Sequence, residues 1–294
     1  FPKLAVEELT LNNVFADYKS EADKIAATLD ISNLYTELPQ VNLAESIFEI
    51  DKLDLKNSVI AIQTETEDAS TKTNVDSNTG FEWPALQVVA KNLNLENNKI
   101  SYTVNNQQPK QDYFNPDTLV FTNLNLKGNA ELSKNKKGVL NLETLSFNEG
   151  SGLNLKNASL NFNIDDTNLS ITDLKLQLNN NTLNGDVDLS YQSIASFIDR
   201  PENAKIDLSL PVFKVDLNEV FKFQPDLKKN PYLKTLSQRP LTGAVNANGV
   251  LSNITLKNTY VNWGNSTQIT ATGSILNATS PEDLALNISS YSAK

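Results

Sequence analysis

Alternation of apolar with polar residues, a recurring Leu-x-Leu-x-Asn phrase and short Asn- and Gly-rich connectors place this chain in the mainly β class. They predict a long, curled antiparallel sheet with an apolar concave face, a β-groove, plus one or two short helices. The alternation is plainest where Leu160, Phe162 and Ile164 face Asn161, Asn163 and Asp165, and where Leu174, Leu176 and Leu178 flank Lys175 and Gln177. A period of two sends one set to each face, so these runs read as half-buried strands. The phrase stands at Leu9-Leu11-Asn13, Leu53-Leu55-Asn57, Leu93-Leu95-Asn97, Leu153-Leu155-Asn157, Leu176-Leu178-Asn180 and Ile254-Leu256-Asn258, with a variant at Leu124-Leu126-Gly128. Its two leucines share a face, and the Asn tolerates the positive φ of a tight turn, so the phrase reads as a strand end. Steps of 44, 40, 31, 29, 23 and 78 residues between copies are too uneven for a solenoid of fixed repeat length. They suit a meandering sheet. The connectors Asp165-Asp166-Thr167, Asn179-Asn180-Asn181 and Asn184-Gly185 are short enough to join antiparallel neighbours.

Residues 20–29 fit both a helix, with Ala22, Ile25, Ala26 and Leu29 on one face, and a strand, with Ile25, Ala27, Leu29 and Ile31 on one face; strand is the favoured reading. Two stretches without periodicity, 66–80 and 105–117, read as polar loops leaving the sheet. Gln192 to Ile198, ending before Arg200-Pro201, reads as a short helix. A second helical region begins at Asp216, which forms a capping-box pattern with Glu219; Leu217, Val220 and Phe221 share a face, Pro225 breaks the run, and Tyr232, Leu233 and Leu236 follow Pro231. The expected organisation is a β segment over 1–211, a helical insertion over 212–239 and a continuing β segment over 240–294.

Lys and Arg number 25 against 35 Asp and Glu, for a net charge of −10, which argues against a nucleic-acid partner. Apolar residues make up 39% of the chain, a value suited to strands with one greasy face. No Cys is present, which excludes disulfides and thiolate metal sites and is compatible with an oxidising compartment. Phe1 is not a translation start, so the expectation is a processed piece whose signal peptide or anchor lies outside it. No run approaches the roughly 18 consecutive apolar residues of a membrane span.

Catalytic constellations are missing. Without His or Cys there is no Ser-His-Asp, His-metal or thiol arrangement, and no phosphate- or dinucleotide-binding glycine motif occurs. The carboxylates at Asp165-Asp166 read as a turn, and those at Glu65, Glu67 and Asp68 lack calcium-loop spacing. Trp83 and Trp263 read as strand-end packing, with sugar stacking as the functional alternative. No enzyme, cofactor or metal is expected.

Several segments resemble the AsmA-like (TamB) family of bridge-like lipid transfer proteins. They are Pro240-Leu241-Thr242-Gly243, Gly249, Leu251, Ile254-Leu256-Asn258, Gly264, Ile269, Gly273 and Ser280-Pro281-Glu282-Asp283-Leu284, together with residues 81–104 and 114–126. The resemblance implies a periplasmic protein of Gram-negative bacteria, anchored in the inner membrane, whose rolled sheet carries phospholipid toward the outer membrane. It also implies phospholipid acyl chains as the cargo and an outer-membrane β-barrel as partner. A sheet with one apolar face must close, pair with another layer or hold something greasy. The expected groove lining is Leu124, Leu126, Leu153, Leu155, Leu160, Phe162, Leu174, Leu176, Leu178, Ile206, Leu208, Ile254 and Leu256. The other readings are an outer-membrane protein assembly scaffold and a surface adhesin or glycan-binding β-protein.

Overall fold

The computed structural model describes residues 7–65, 81–265, 267–280 and 282–293, so the polar loop expected at 66–80 lies outside the described residues. The chain begins with β1 (Glu8–Ser20) and β2 (Ile25–Glu37), then the short strands β3 (Gln40–Asn42), β4 (Ile47–Ile50), β5 (Lys52–Lys56) and β6 (Val59–Thr64). Longer strands follow: β7 (Gln87–Val104), β8 (Thr118–Ser133), β9 (Lys137–Glu149), β10 (Asn154–Asp165), β11 (Asn168–Leu178), β12 (Asn181–Ser190) and β13 (Lys205–Val215). β14 (Leu241–Val250), β15 (Asn253–Trp263), β16 (Thr267–Leu276) and β17 (Ala285–Ala293) complete the set. All seventeen belong to one mixed sheet. The chain divides into two compact units, one made of β1 to β8 with residues 142–156, the other of residues 81–83, 135–141 and 157 onward.

The sheet is not antiparallel throughout. β4, β5 and β6 run parallel to β7, in the registers Ile47↔Gln87, Leu55↔Leu95 and Ile60↔Ile100. Parallel neighbours need a connection of a dozen residues or more, and the sequence between Thr64 and Gln87 is long enough. Elsewhere the registered pairs are antiparallel, including the uninterrupted meander from β11 to β17.

The expectation that Asn ends each strand is corrected at most copies of the phrase. Asn13, Asn97 and Asn258 have φ of 54°, 52° and 44°, yet they lie inside β1, β7 and β15. Asn123 (φ 50°) and Asp173 (φ 55°) do the same in β8 and β11. Asn97, Asn123, Asp173 and Asn258 sit at irregularities of pairing, while the β1–β2 register continues unchanged past Asn13; between Leu95↔Leu126 and Asn98↔Leu124, for example, β7 spends one residue more than β8. A left-handed residue of this kind is a β-bulge, tolerated by Asn because its short polar side chain bonds locally. The bulge also shifts the phase of the alternation by one, so that Leu93 and Leu95 before Asn97 share a face with Ile100 and Tyr102 after it. Asn57 (φ 49°) sits between β5 and β6, which run on along the same neighbours, β2 and β7. At Asn180 the left-handed residue is its neighbour Asn179 (φ 49°), in the turn between β11 and β12.

In the first unit these bulges line up as a polar seam across the strands. Asn33 donates to Asn12 Oδ1 at 2.8 Å, Ser32 N to Ser58 Oγ at 3.1 Å, Asn97 Nδ2 to Asn57 Oδ1 at 2.8 Å, and Asn97 N to Asn125 Oδ1 at 2.9 Å. Asn98 is the buried member, 1% exposed; its Nδ2 donates to the Leu55 carbonyl at 2.8 Å and its Oδ1 accepts Ser58 N at 2.9 Å. Ser58 N lies in the break between β5 and β6 and the Leu55 carbonyl just before it, and burial of such groups without partners costs a full desolvation penalty.

Among the described residues there are three short α-helices rather than one or two: α1 (Ile194–Asp199), α2 (Leu217–Phe223) and α3 (Pro231–Leu236), with 3-10 turns at Pro201–Asn203 and Pro225–Lys229. β13 continues to Val215, so the helical stretch starts at Leu217. Asp216 caps α2 through Asn218 N at 3.0 Å, while Glu219 pairs with Lys222 and Asn179 instead of closing a capping box. The prolines at 225 and 231 split the stretch into separate turns. This stretch closes one end of the second unit, with Asp216 N donating to Asn181 Oδ1 at 2.6 Å and Trp263 Nε1 to the Leu236 carbonyl at 3.0 Å. α1 and the turn after it close the opposite end, where Leu251 N reaches the Ala204 carbonyl at 2.9 Å and Tyr191 OH the Asp165 carbonyl at 3.1 Å.

Urea denaturation tests the seam. Asn98→Ala removes both partners of buried backbone groups and is expected to destabilise the first unit by about 2–4 kcal/mol, whereas Asn97→Gly, at a left-handed position, is expected to be close to neutral and Asn97→Ala to cost about 1 kcal/mol. At the β10–β11 turn the backbone N–H of Thr167 holds the Asp165 carboxyl below its usual range. A carboxyl whose folded pKa is depressed contributes stability above its unfolded value of about 4 and loses it as pH falls through the folded value. The stability difference between the parent and Asp165→Ala is therefore expected at pH 7 and absent at strongly acid pH.

Candidate functional site

The apolar side chains of the second unit stack into three rows running across the strands. The first links Leu169, Leu189, Ile206, Gly249, Ile254, Ile275 and Leu286, each the register partner of the next from β11 to β17. A second runs Ile171, Val187, Leu208, Ala247, Leu256, Gly273 and Ile288 over the same strands, and a third runs Leu176, Leu183, Phe213, Gly243, Val261 and Ile269 from β11 to β16. No charged residue enters any row. The bulges at Asp173 and Asn258 keep the third row in phase with the other two, since each absorbs one residue between Ile171 and Leu174 and between Leu256 and Thr259.

β14 presents small residues to this face: Gly243, Ala247 and Gly249. At Gly243 a Cβ would stand 2.1 Å from the Tyr260 carbonyl oxygen, so only glycine fits there. Into the shallow strip that results packs a closed apolar cluster, Ala247, Ile254 and Leu256, with Ile206, Leu208, Val245, Leu251 and Ile275 against it. Beyond the cluster the rows stay open. Leu169, Ile171, Leu176, Leu183, Val187, Leu189 and Phe213 are half-buried, and Ile269, Leu286 and Ile288 are exposed.

The thirteen residues expected to line a groove fall into two groups. Leu153, Leu155, Ile254 and Leu256 are buried and act as packing; Leu153 lies in the β9–β10 turn, its carbonyl accepting Glu149 N at 2.8 Å. Leu124, Leu126, Leu160, Phe162, Leu174, Leu176, Leu178, Ile206 and Leu208 are half-buried. Their sequence neighbours Asn163, Lys175, Gln177 and Asp207 are exposed, as the period of two requires. Pairing brings together members of this set that are far apart in sequence, Leu208 and Leu256 both flanking Ala247. It also adds Leu183 and Phe213, whose membership no motif announced, and Leu189, which alternates with Asp188 in the sequence but was not among the thirteen.

The first unit has rows of its own. Leu11, Leu34, Leu55, Leu95 and Leu126 are successive partners across β1, β2, β5, β7 and β8, so three copies of the phrase and its variant lie side by side at one level. On the far side of the seam Ala16, Leu29, Ile60, Ile100 and Phe121 form another row. Thr36 lies in the row of Leu9, Leu53 and Leu93, 5% exposed, with its hydroxyl unpartnered.

Polar chemistry at these faces is sparse. Asp165 is a turn residue, its carboxylate accepting Thr167 N at 2.7 Å and Asn168 N at 2.8 Å. Asp166 accepts Trp83 Nε1 at 3.2 Å and pairs with Lys136 at 3.2 Å, and both contacts hold its carboxyl below the usual range. Burial raises the Tyr191 hydroxyl pKa, with a smaller push from Asp165 and Asp166. The indole of Trp263 carries the Arg239 guanidinium over its ring at 5.0 Å. Among the described residues no group of three or more acidic side chains is placed to hold a metal, and no helix is long and apolar enough to cross a membrane. Glu67 and Asp68 lie outside the described residues. What remains is an uncharged aliphatic surface whose chemistry is solvation of other apolar groups. Compared with known proteins, the chain matches no family model, no curated protein and no solved structure.

Proposed function

We propose that the apolar face of the β11–β17 meander receives the acyl chains of phospholipids, and that the protein is a non-enzymatic lipid carrier of the AsmA-like kind working in the periplasm. One observation carries the reading: three uncharged apolar rows cross six or seven strands, yet most of their side chains remain half-buried or exposed. Apolar surface left in water costs about 25 cal/mol per Å², and an acyl chain laid along the rows removes that cost from protein and lipid together. Transfer then needs no bond-making, only continuity of the apolar path. An outer-membrane β-barrel is the acceptor this reading calls for. Glycan stacking has less support, because both tryptophan N–H groups donate within the protein and Trp263 already carries Arg239.

Photocrosslinking in cells tests the reading by face. A crosslinker at Leu176, Leu178 or Leu208 is expected to capture phospholipid, and one at the exposed neighbours Lys175, Gln177 or Asp207 is not. Equal capture from both faces would remove the argument for a lipid-bearing surface.

Charge insertion separates lining from packing. Leu176→Glu is expected to leave a folded protein that no longer supports outer-membrane integrity, since its half-buried position outside the closed cluster lets the carboxylate reach water while it interrupts the third row. Leu155→Glu buries a carboxylate at a position 6% exposed and is expected to cost several kcal/mol and lower protein abundance. Normal membrane integrity with abundant Leu176→Glu protein counts against acyl passage.

A further inference from the structure

We infer that the helical stretch from Leu217 to Arg239, at one end of the second unit, is a docking surface for the anionic headgroups of a phospholipid bilayer. Its charge runs against the rest of the chain: five basic residues, Lys222, Lys228, Lys229, Lys234 and Arg239, stand against Glu219 and Asp226 in a protein of net charge −10. The acids are already engaged. Glu219 pairs with Lys222 at 3.1 Å in a partly buried contact, and Asp226 with Lys229 at 2.6 Å. That leaves the cationic side chains of Lys228 and Lys234 exposed to solvent.

Between these cations the stretch exposes large apolar side chains. Tyr232 is 79% exposed, and Phe223, Leu227 and Leu236 are also exposed, although Phe221 two residues earlier is buried at 3% and anchors α2. A folded segment that buries one aromatic residue and turns out four apolar ones among lysines has the composition of a membrane-interface element: cations meet anionic headgroups, and Tyr and Leu enter the headgroup boundary. The prolines and 3-10 turn keep the stretch short and bent, so it suits lying on a surface rather than inserting across it. The third apolar row lies at this end of the meander: its members Leu176 and Val261 stand two residues from Leu178 and Trp263, and the Trp263 indole N–H bonds the Leu236 carbonyl of the helical stretch. The inference rests on the stretch's own charge and exposure, and it stands whether or not the apolar face carries acyl chains.

The test is sedimentation of the purified chain with vesicles of phosphatidylcholine alone or of phosphatidylcholine mixed with phosphatidylglycerol. Binding is expected to the mixed vesicles only, and to fall in high salt. The triple change Lys228→Gln, Lys229→Gln and Lys234→Gln is expected to weaken it roughly tenfold or more, and Tyr232→Ser to weaken it a few-fold. These positions are exposed, so the variants keep the fold, which circular dichroism checks. Neutralising the strand lysines Lys205 and Lys257 is expected to leave vesicle binding unchanged. Equal binding to both vesicle types, an unchanged triple variant, or the same loss from the strand lysines overturns the proposal. None of these outcomes bears on crosslinking at Leu208, so failure here and failure of the acyl-binding reading are told apart.

Discussion

The left-handed asparagine inside a strand is the constraint on which the rest of this structure hangs. A strand presents alternate residues to opposite faces, so an apolar face holds only while the phase of alternation holds. At Asn13, Asn97, Asn123, Asp173 and Asn258 the backbone takes a φ between 44° and 55° and the phase advances by one residue. Every neighbouring strand must advance at the same level or the rows come apart. In the first unit they do: Asn13 lies opposite Ser32, Ser32 opposite the Asn57–Ser58 break, and that break beside Asn97 and Asn98. The side-chain amides then bond from strand to strand along the seam. The abundance of asparagine, 40 residues in 294, follows from this arrangement together with the turns. Asn combines low cost in the left-handed region with a donor and an acceptor for the groups a bulge strands.

The bulges also account for how the apolar residues are spent. An extra residue on one strand bends and twists the pair locally. In the second unit the glycines of β14 allow close approach of neighbouring backbone, and the aliphatic residues of β13 and β15 pack over that strip. One compact cluster thereby stabilises the meander, and the remaining row positions stay half-buried and available. A two-layer protein would bury them against a second sheet or a helix. Here the helices serve the ends of the strands, where they satisfy carbonyls and amides of the connecting turns.

That division of labour gives the proposed lipid carriage a physical form. The face supplies an uncharged aliphatic path, the helical stretch supplies cations and exposed aromatic surface at one end of it, and neither requires a reactive group. The two properties are separable by substitution because they reside in different elements, the row leucines in β11 to β13 and the lysines in the connection from β13 to β14.

Alternation and turn composition were enough to establish the mainly β class, the helix near residues 194–199 and the helical interruption after Val215, since these are set by neighbours within a few residues; over residues 20–29 both periods fitted, and the structure places a turn before β2 begins at Ile25. The same local patterning placed Lys175 and Asp207 outward and Leu176 and Leu208 on the apolar side. It misread Asn13, Asn97 and Asn258 as strand ends, while Asn57 and Asn180 do follow strand ends, because a bulge and a turn ask the same φ of the same residue and differ only in whether the partner strand continues. The parallel pairing of β4 to β6 with β7 was likewise invisible, as was the separation of buried Leu155 and Ile254 from half-buried Leu176 and Leu208. Period tells which face a side chain takes, but burial depends on what the register sets across from it. At Ile254 that neighbour is Gly249 across the hairpin, and Ile206, Leu208 and Ile275, which pack against the same cluster, come from strands that sequence spacing alone does not set beside it.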